Sequence, residues 1–333
     1  MQAGKLGSGG TGINRTDIYG GRLKRLRAAA IDLGSNTVLF LTGVVDEKGG
    51  VFPLDEAIYS SGFGKDVFDY GKISDDTIGR NIVLISELAH RAERMGAEKI
   101  LVCGTSALRR ASNAAEFIRT VEEEIGLKAM IVSGQEEALL TYMGYASGGA
   151  EINEKTALAD IGGGSCEIIY IEKSEIIDTV SLELGAVDLT ERYIDSDPPD
   201  ISKFRRMKHY IISILSKVEL KLIDKLVLSG GTATALAALS CGLTVYNGSK
   251  IENYALIYEN VIHLQNRFLS MNLQQRKELL EFDPGRANVI IAGAAIMVAL
   301  LALFEKRTAF VTHRGLRYGM LSNLVRQKLV INP

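Results

Sequence analysis

Two periodicities alternate along the chain. Residues 27–45, RAAAIDL and TVLFLTGVV around GSN, are nearly continuously apolar and predict two strands forming a hairpin. Residues 78–95 place Ile78, Ile82, Ile85, Leu88, Ala92 and Met95 at helical spacing, with Gly96 as the stop. KILVC then predicts a buried strand. Ser112 opens a second helix carrying Phe117, Ile118, Val121 and Ile125, which Gly126 ends. KAMIV reads as a strand and SGQEEALLTYMGYA as a helix. The pattern restarts at KTALADI, with a hairpin near EKSE, a long amphipathic helix over 201–222, the strand KLVLSGG and further helices. Strands and helices mixed in this order predict an α/β fold.

The two halves resemble one another. AAAIDLGSNTVLF and ALADIGGGSCEII each end an apolar strand on Asp, then place glycine and a hydroxyl-bearing turn before the next strand. Asp32 and Asp160 are the equivalent acids. A third turn, Ser229-Gly230-Gly231-Thr232, follows a strand and enters an Ala-rich helix. Matched acid-and-glycine hairpins in two halves predict two lobes facing one cleft.

The segment DIGGGSCE carries the sharpest chemical signal. With Gly163–Gly164 as a two-residue loop, Gly162 faces Ser165, Ile161 faces Cys166 and Asp160 faces Glu167. Alternation then directs Asp160, Gly162, Ser165 and Glu167 to one side, and Ile161, Cys166 and Ile168 to the core. Two carboxylates about 5 Å apart repel by about 3 kcal/mol at an effective dielectric near 20. A divalent cation removes that repulsion, and all-oxygen ligation suits Mg²⁺. The glycines leave backbone N–H groups open to phosphate oxygens. The bland alternative is a tight exposed turn with two hydrated acids. Neither a Walker A loop nor a Rossmann glycine pattern is present.

Composition narrows the class. A net charge of −2 gives no overall basic excess for nucleic acid, and three cysteines without a C-x-x-C pair give neither a disulfide framework nor a zinc site. That usage fits a reducing cytoplasm. Residues 1–27 form a Gly-rich extension ending in the basic run RLKRLR, without the apolar core of a secretory signal. The run VIIAGAAIMVALLALF, Val289 to Phe304, falls short of the ~20 residues of a membrane span and predicts a helix buried on all sides. Among the charged residues, Ser133-x-x-Glu136 is a capping box, so Glu137 points about 100° away on that helix and is free. Arg109 and Arg110 sit at a strand-to-loop exit where an Arg serves as a phosphate fork. Lys65 belongs to a flexible loop.

AIDLGSNT, DIGGGS and LSGGTATALA together resemble the two phosphate motifs and third glycine motif of the actin-like ATPase superfamily. GTSALRRASN, VSGQEEALLTYMG, LELGAVDLTERY and HRGLRYGML narrow this: the chain resembles the exopolyphosphatase/guanosine pentaphosphate phosphohydrolase (Ppx/GppA) family from about residue 28 onward. The resemblance implies two actin-like, ribonuclease H-like lobes with a ligand cleft, in the short two-domain form. Lobe I comprises 28–134 plus about 318–333, and lobe II comprises 135–317.

The implied reaction is hydrolysis of the terminal phosphoanhydride of inorganic polyphosphate or guanosine pentaphosphate. Glu137 matches the catalytic acid that activates water, and Arg109 the phosphate-contacting Arg. Asp160 and Glu167 match the metal acids, for Mg²⁺ or another divalent cation. Gly34, Ser35 and Asn36, then Gly162, Gly163, Gly164 and Ser165, then Gly230, Gly231 and Thr232, match the phosphate loops. Asp32 and Arg286 are secondary candidates. The family also implies a homodimer, while charge disfavours nucleic acid as a partner and no predicted segment calls for a membrane. Asn288 stands where the family often has Asp, and Cys166 replaces a frequent Thr. The rival readings are a guanosine-polyphosphate sensor with little catalysis and an ATP-dependent kinase of the same superfamily.

Overall fold

The computed structural model describes residues 25–149 and 152–329. The first half runs β1 (Leu26–Leu33), β2 (Thr37–Val45), β3 (Val51–Ser60), α1 (Phe63–Tyr70), α2 (Asp75–Arg94), β4 (Lys99–Gly104), α3 (Ser106–Arg110), α4 (Ala114–Ile125), β5 (Ala129–Ile131) and α5 (Gly134–Ala146). The second runs β6 (Thr156–Ile161), β7 (Cys166–Glu172), β8 (Glu175–Leu182), α6 (Ala186–Tyr193), α7 (Ile201–Leu215), β9 (Lys225–Ser229), α8 (Gly231–Ser240), α9 (Gly248–Ile251), β10 (Tyr254–Ile257), α10 (Tyr258–Leu269), α11 (Leu273–Leu279), α12 (Ile290–Leu303), β11 (Thr308–Val311) and α13 (Leu316–Arg326).

Two mixed sheets result, with strand orders β3-β2-β1-β4-β5 and β10-β11-β9-β6-β7-β8. The repeat is structural. In each, a strand with Asp one residue before its end pairs antiparallel with the next strand and parallel with a later one, β1 with β2 and β4, β6 with β7 and β9. The equivalent acids, Asp32 and Asp160, therefore emerge at the same edge of their sheets, facing each other across the gap.

Each sheet buries one face under its own helices. Ile85, Leu88, Phe117 and Val121 of α2 and α4 cover the first, and α6, α7, α8 and α12 cover the second. The other two faces share a single layer. Leu140 of α5 joins Tyr318, Met320 and Leu321 of α13 against the first sheet, while Ala138, Tyr142, Met143 and Tyr145 of α5 pack on the second. The two helices cross with their backbones nearly touching: a Cβ on Gly319 would overlap the Leu140 carbonyl, and one on Gly144 the Gly315 carbonyl.

Several sequence expectations hold to the residue. The β6–β7 register pairs Asp160 with Glu167 and Ile161 with Cys166, and Gly162 N–H donates to Ser165 O at 2.9 Å. Gly96 and Gly126 end α2 and α4 with left-handed φ of 77° and 76°. The apolar run forms α12, buried along nearly its whole length, and no helix among the described residues is long and apolar enough to cross a membrane.

Others need correcting. Asn113, not Ser112, precedes α4, because its side chain is taken by the backbone N–H and C=O of Ile73. The helix expected over 201–222 stops at Leu215, where the chain must turn to deliver β9, leaving Leu220 and Leu222 in solvent. Arg109 and Arg110 lie on the one-turn helix α3 rather than a loop, and Lys65 lies on α1. The proposed extension over residues 1–27 lies outside the described residues up to residue 24, but Leu26 and Arg27 already belong to β1.

The helix crossing yields a test of sign. Ala in place of an exposed helical Gly gains about 1 kcal/mol, and Gly79 on α2 has open space around its Cβ position. At Gly319 the added methyl meets rigid backbone, so overpacking of about 1–3 kcal/mol or more outweighs that gain. Urea unfolding is expected to show Gly79→Ala stabilised and Gly319→Ala destabilised.

Candidate active site

Four carboxylates converge between the lobes. Asp32 lies one residue before the end of β1, Asp160 and Glu167 face each other in the β6–β7 hairpin, and Glu137 extends from the first turn of α5. Local sequence sets the last. Ser133 Oγ accepts from Glu136 N–H at 3.2 Å and the Glu136 carboxylate accepts from Ser133 N–H at 2.7 Å, closing the capping box and leaving Glu137 to the cleft. One turn on, Thr141 Oγ donates to Asp160 Oδ2 at 3.4 Å.

Asp32, Glu137 and Glu167 are buried and Asp160 is half-buried, and desolvation dominates the protonation of all four. Desolvation pushes Asp32 up to about 8, reinforced by the neighbouring Glu137 charge and opposed by Arg317. Desolvation raises Glu137 to about 7, against the pull of the Arg109 guanidinium. Glu167 is raised well above the usual carboxylate range by burial and then by Glu137 and Asp160. Asp160 is raised by burial and partly restored by hydrogen bonds from Ser229 and Thr141. Asp32 Oδ1 and Glu167 Oε2 are buried without a hydrogen-bond partner.

Around these acids stand unpaired donors. The N–H groups of Ser35, Asn36, Gly163, Gly164 and Gly231 donate to no acceptor among the described residues. The carbonyls of Gly162 and Gly163, by contrast, are held by Ala186 and Val187 N–H at the start of α6, at 3.0 and 2.7 Å. The N-terminus of α8 also opens here after Gly230, whose φ is 95°. Such an arrangement accepts an anion. The cleft between these groups has a volume of about 110 Å³, room for a phosphoryl-sized group.

Gly34, Ser35, Asn36, Gly162, Gly163, Ser165, Gly230, Gly231, Asp32, Asp160, Glu137 and Arg286 all line this cavity. Five candidates sit differently. Arg109 donates through one nitrogen to Val132 O at 2.8 Å and Glu137 Oε2 at 2.6 Å, so it holds the acid rather than lining the cavity. Glu167 lies behind the wall, its Oε1 accepting from Ser181 Oγ at 2.9 Å. Gly164 is covered by Ser106 and Arg110. The Thr232 side chain is buried against Gly293 of α12, and Thr234 faces the cavity instead. Lys65 is no free loop residue but pairs with Asp69 and Glu191.

The lobes are closed on one another. A Cβ on Gly163 would lie 2.8 Å from Ser35 Cβ. Arg110 of α3 forms a two-point ion pair with Asp188 of α6, at 2.6 and 3.1 Å, and Lys65 reaches Glu191 at 3.0 Å. Arg317, Ser106, Asp283 and His313 also line the cavity and were not singled out from sequence. Arg317 sits within HRGLRYGML, but only its pairing to Glu56 at 2.6 Å, from a strand far away in sequence, reveals its position.

The Ppx/GppA phosphatase family profile matches residues 45–328. The chain belongs to the Ppx/GppA phosphatase family. It is 30% identical over 293 residues to exopolyphosphatase 2 of Mycobacterium tuberculosis, covering 84% of this chain and 92% of that protein. Guanosine-5'-triphosphate,3'-diphosphate pyrophosphatase of Photobacterium profundum is 27% identical, covering 89% of this chain and 59% of the relative. The crystal structure of the Aquifex aeolicus Ppx/GppA family member superimposes with a TM-score of 0.77 at 29% identity, over 92% of this chain and 99% of that one. The two sheets are thus the two actin-like lobes of a Ppx/GppA phosphatase, and the chain is a hydrolase of that family.

The buried acids make stability depend on pH with a definite sign. A carboxyl whose folded value lies above its unfolded one stabilises below the unfolded value and loses that contribution as pH rises through the folded value. For Asp32, raised from 3.8 to about 8, the window is roughly pH 4 to 8. In chelator, thermal melting of the wild type is expected to fall across this window, and Asp32→Asn to melt higher than wild type at pH 8 but not at pH 4.

Proposed function

We propose that this chain is an exopolyphosphatase, removing the terminal phosphate of inorganic polyphosphate by water attack between the lobes. Guanosine pentaphosphate, with the same kind of terminal phosphoanhydride, is the second substrate of this reading, favoured by the Photobacterium relative. The observation that carries the proposal is the cleft itself: Asp32, Glu137 and Asp160 line it beside unpaired backbone donors, with Glu167 directly behind. We assign lobe I to 28–134 with about 318–333 and lobe II to 135–317, α5 packing on both sheets.

Among the described residues no group of three or more His, Cys, Asp or Glu is arranged to hold a metal by itself. The donor set nevertheless fits a Mg²⁺ held by Asp160 and Glu167, because Glu167 Oε2 is buried and partnerless and the ligands are all oxygen. When bound, the cation supplies positive charge to the phosphate oxygens. Phosphate oxygens take the N–H groups of Ser35, Asn36 and Gly163, donors already in place before the reaction. Glu137 accepts the proton of the attacking water, a role that its raised affinity for protons near neutrality suits. Arg109 orients the Glu137 carboxylate through its 2.6 Å contact. The contacts of α6 with α1 and α3 narrow the access of bulk water to the cleft.

Phosphate release from long-chain polyphosphate and from guanosine pentaphosphate, measured side by side with Mg²⁺, tests this. Glu137→Gln is expected to lower kcat by about 10²–10⁴-fold with the fold intact. No release from either substrate by wild type, with tight guanosine-nucleotide binding, would overturn the proposal in favour of a sensor. Arg109→Met removes the charge that lowers the Glu137 affinity for protons. Its rate is therefore expected to rise with pH along a limb displaced to higher pH than in wild type.

A further inference from the structure

A second cavity lies in lobe II, between α7, α10 and α12, and shares no lining residue with the catalytic one. Its volume is about 370 Å³, within the range of small-ligand sites. Ile211, Ile212 and Leu215 form one wall, and Val298, Ala299 and Leu303 the other. Four polar side chains, Lys208, Ser216, Tyr258 and Gln265, interrupt these apolar walls, with Ser216 and Tyr258 at the Leu303 end. Gln265 of α10 is only 3% exposed, yet its Nε2 has no hydrogen-bond partner. Lys208 of α7 lines the cavity and joins no ion pair among the described residues; its Nζ lies 6.0 Å from the Phe204 ring.

The helix directions place Lys208 and Gln265 at one end. β10 and β11 pair antiparallel and Tyr258 N–H donates to Arg307 O, so α10 runs back along α12 and brings Gln265 toward Ala295. The start of α7 is tied to the start of α12 through Asp197, Arg276 and Ala287 O. Its far end reaches Phe304 through Lys221 and Tyr170. α7 therefore runs parallel to α12, with Lys208 nearer Ala295 and Leu215 nearer Leu303. From Ala295 to Leu303 the groove follows about 12 Å of helix.

We propose that this groove binds a free medium-chain fatty acid. Its alkyl chain lies along Leu215, Ala299 and Leu303, and its carboxylate lies at the Lys208–Gln265 end. The carboxylate supplies the acceptor that the buried Gln265 amide lacks, and it pairs with the exposed Lys208 ammonium at the rim. A partner helix, about 10 Å across with its side chains, would cover a groove of this volume without filling it.

Calorimetric titration of the full chain with decanoate, kept below its micelle concentration, tests the proposal, with decylammonium as the charge-inverted probe. Decanoate is expected to saturate a single site, with decylammonium at least roughly tenfold weaker. Lys208→Glu is expected to weaken decanoate by at least roughly tenfold. Ala299→Trp, filling the groove, is expected to abolish binding. Ile212→Glu, on a wall residue that is 54% exposed and whose change leaves the core untouched, is expected to weaken it even if the Trp variant misfolds. Absence of saturable binding, equal binding of decylammonium, or binding unchanged in Ile212→Glu and Lys208→Glu would overturn the proposal. So would a concentration-dependent dimer dispersed by Ile212→Glu in a protein that ignores decanoate, an outcome assigning the groove to a second copy.

Discussion

The near-contact of α5 and α13 is the constraint on which the rest of the architecture hangs. Two glycines, Gly144 and Gly319, let the helix backbones meet at carbonyls of the opposite helix. Because they meet so closely, one layer of helix serves two sheets. Leu140 and Tyr318 close the free face of the first, and Ala138, Tyr142 and Met143 close that of the second. Larger residues at the crossing would push the sheets apart. Asp32 and Asp160, each one residue before the end of a strand, would then no longer face a common space.

The same packing explains the electrostatics. α5 is buried on nearly all sides, so the stripe carrying Glu137 and Thr141 can only face the cleft. Acids held there lose water without gaining enough partners; among the described residues, Arg109 is the one cation that pairs with Glu137. A structure selected for stability alone would not gather Asp32, Glu137 and Asp160 around one cleft with Glu167 directly behind it. The unfavourable term is concentrated where the chemistry is proposed to occur, and the apolar cores HRGLRYGML and VIIAGAAIMVALLALF help to form offset it elsewhere.

What was legible in the sequence was local. Strand alternation set the Asp160–Glu167 register, because a two-residue glycine loop leaves one pairing. The Ser133 capping box separated Glu136 from Glu137, because cap geometry reaches only one turn. The internal repeat was visible because both halves end an apolar strand on Asp. The motifs identified the family, but not which side chains meet. The Arg109–Glu137 and Arg317–Glu56 pairs join residues that no periodicity relates. Thr232 turned into the core because Gly293 of a remote helix makes room for it, a packing fact invisible in LSGGTATAL. One-turn α3 was unreadable for another reason: five residues are too few for a helical period to show.

The cover over the first sheet has a consequence for synthesis. Ala28, Ala30, Leu41 and Val45 belong to strands made early, yet Tyr318, Met320 and Leu321, which bury them, follow every other described element. A ribosome adding about 5–20 residues per second would display that apolar face for many seconds before its lid arrived. Lobe II, whose own helices lie within its span, can condense sooner. The nascent first lobe is therefore the segment most in need of shelter from chaperones, and it matures last although it emerges first.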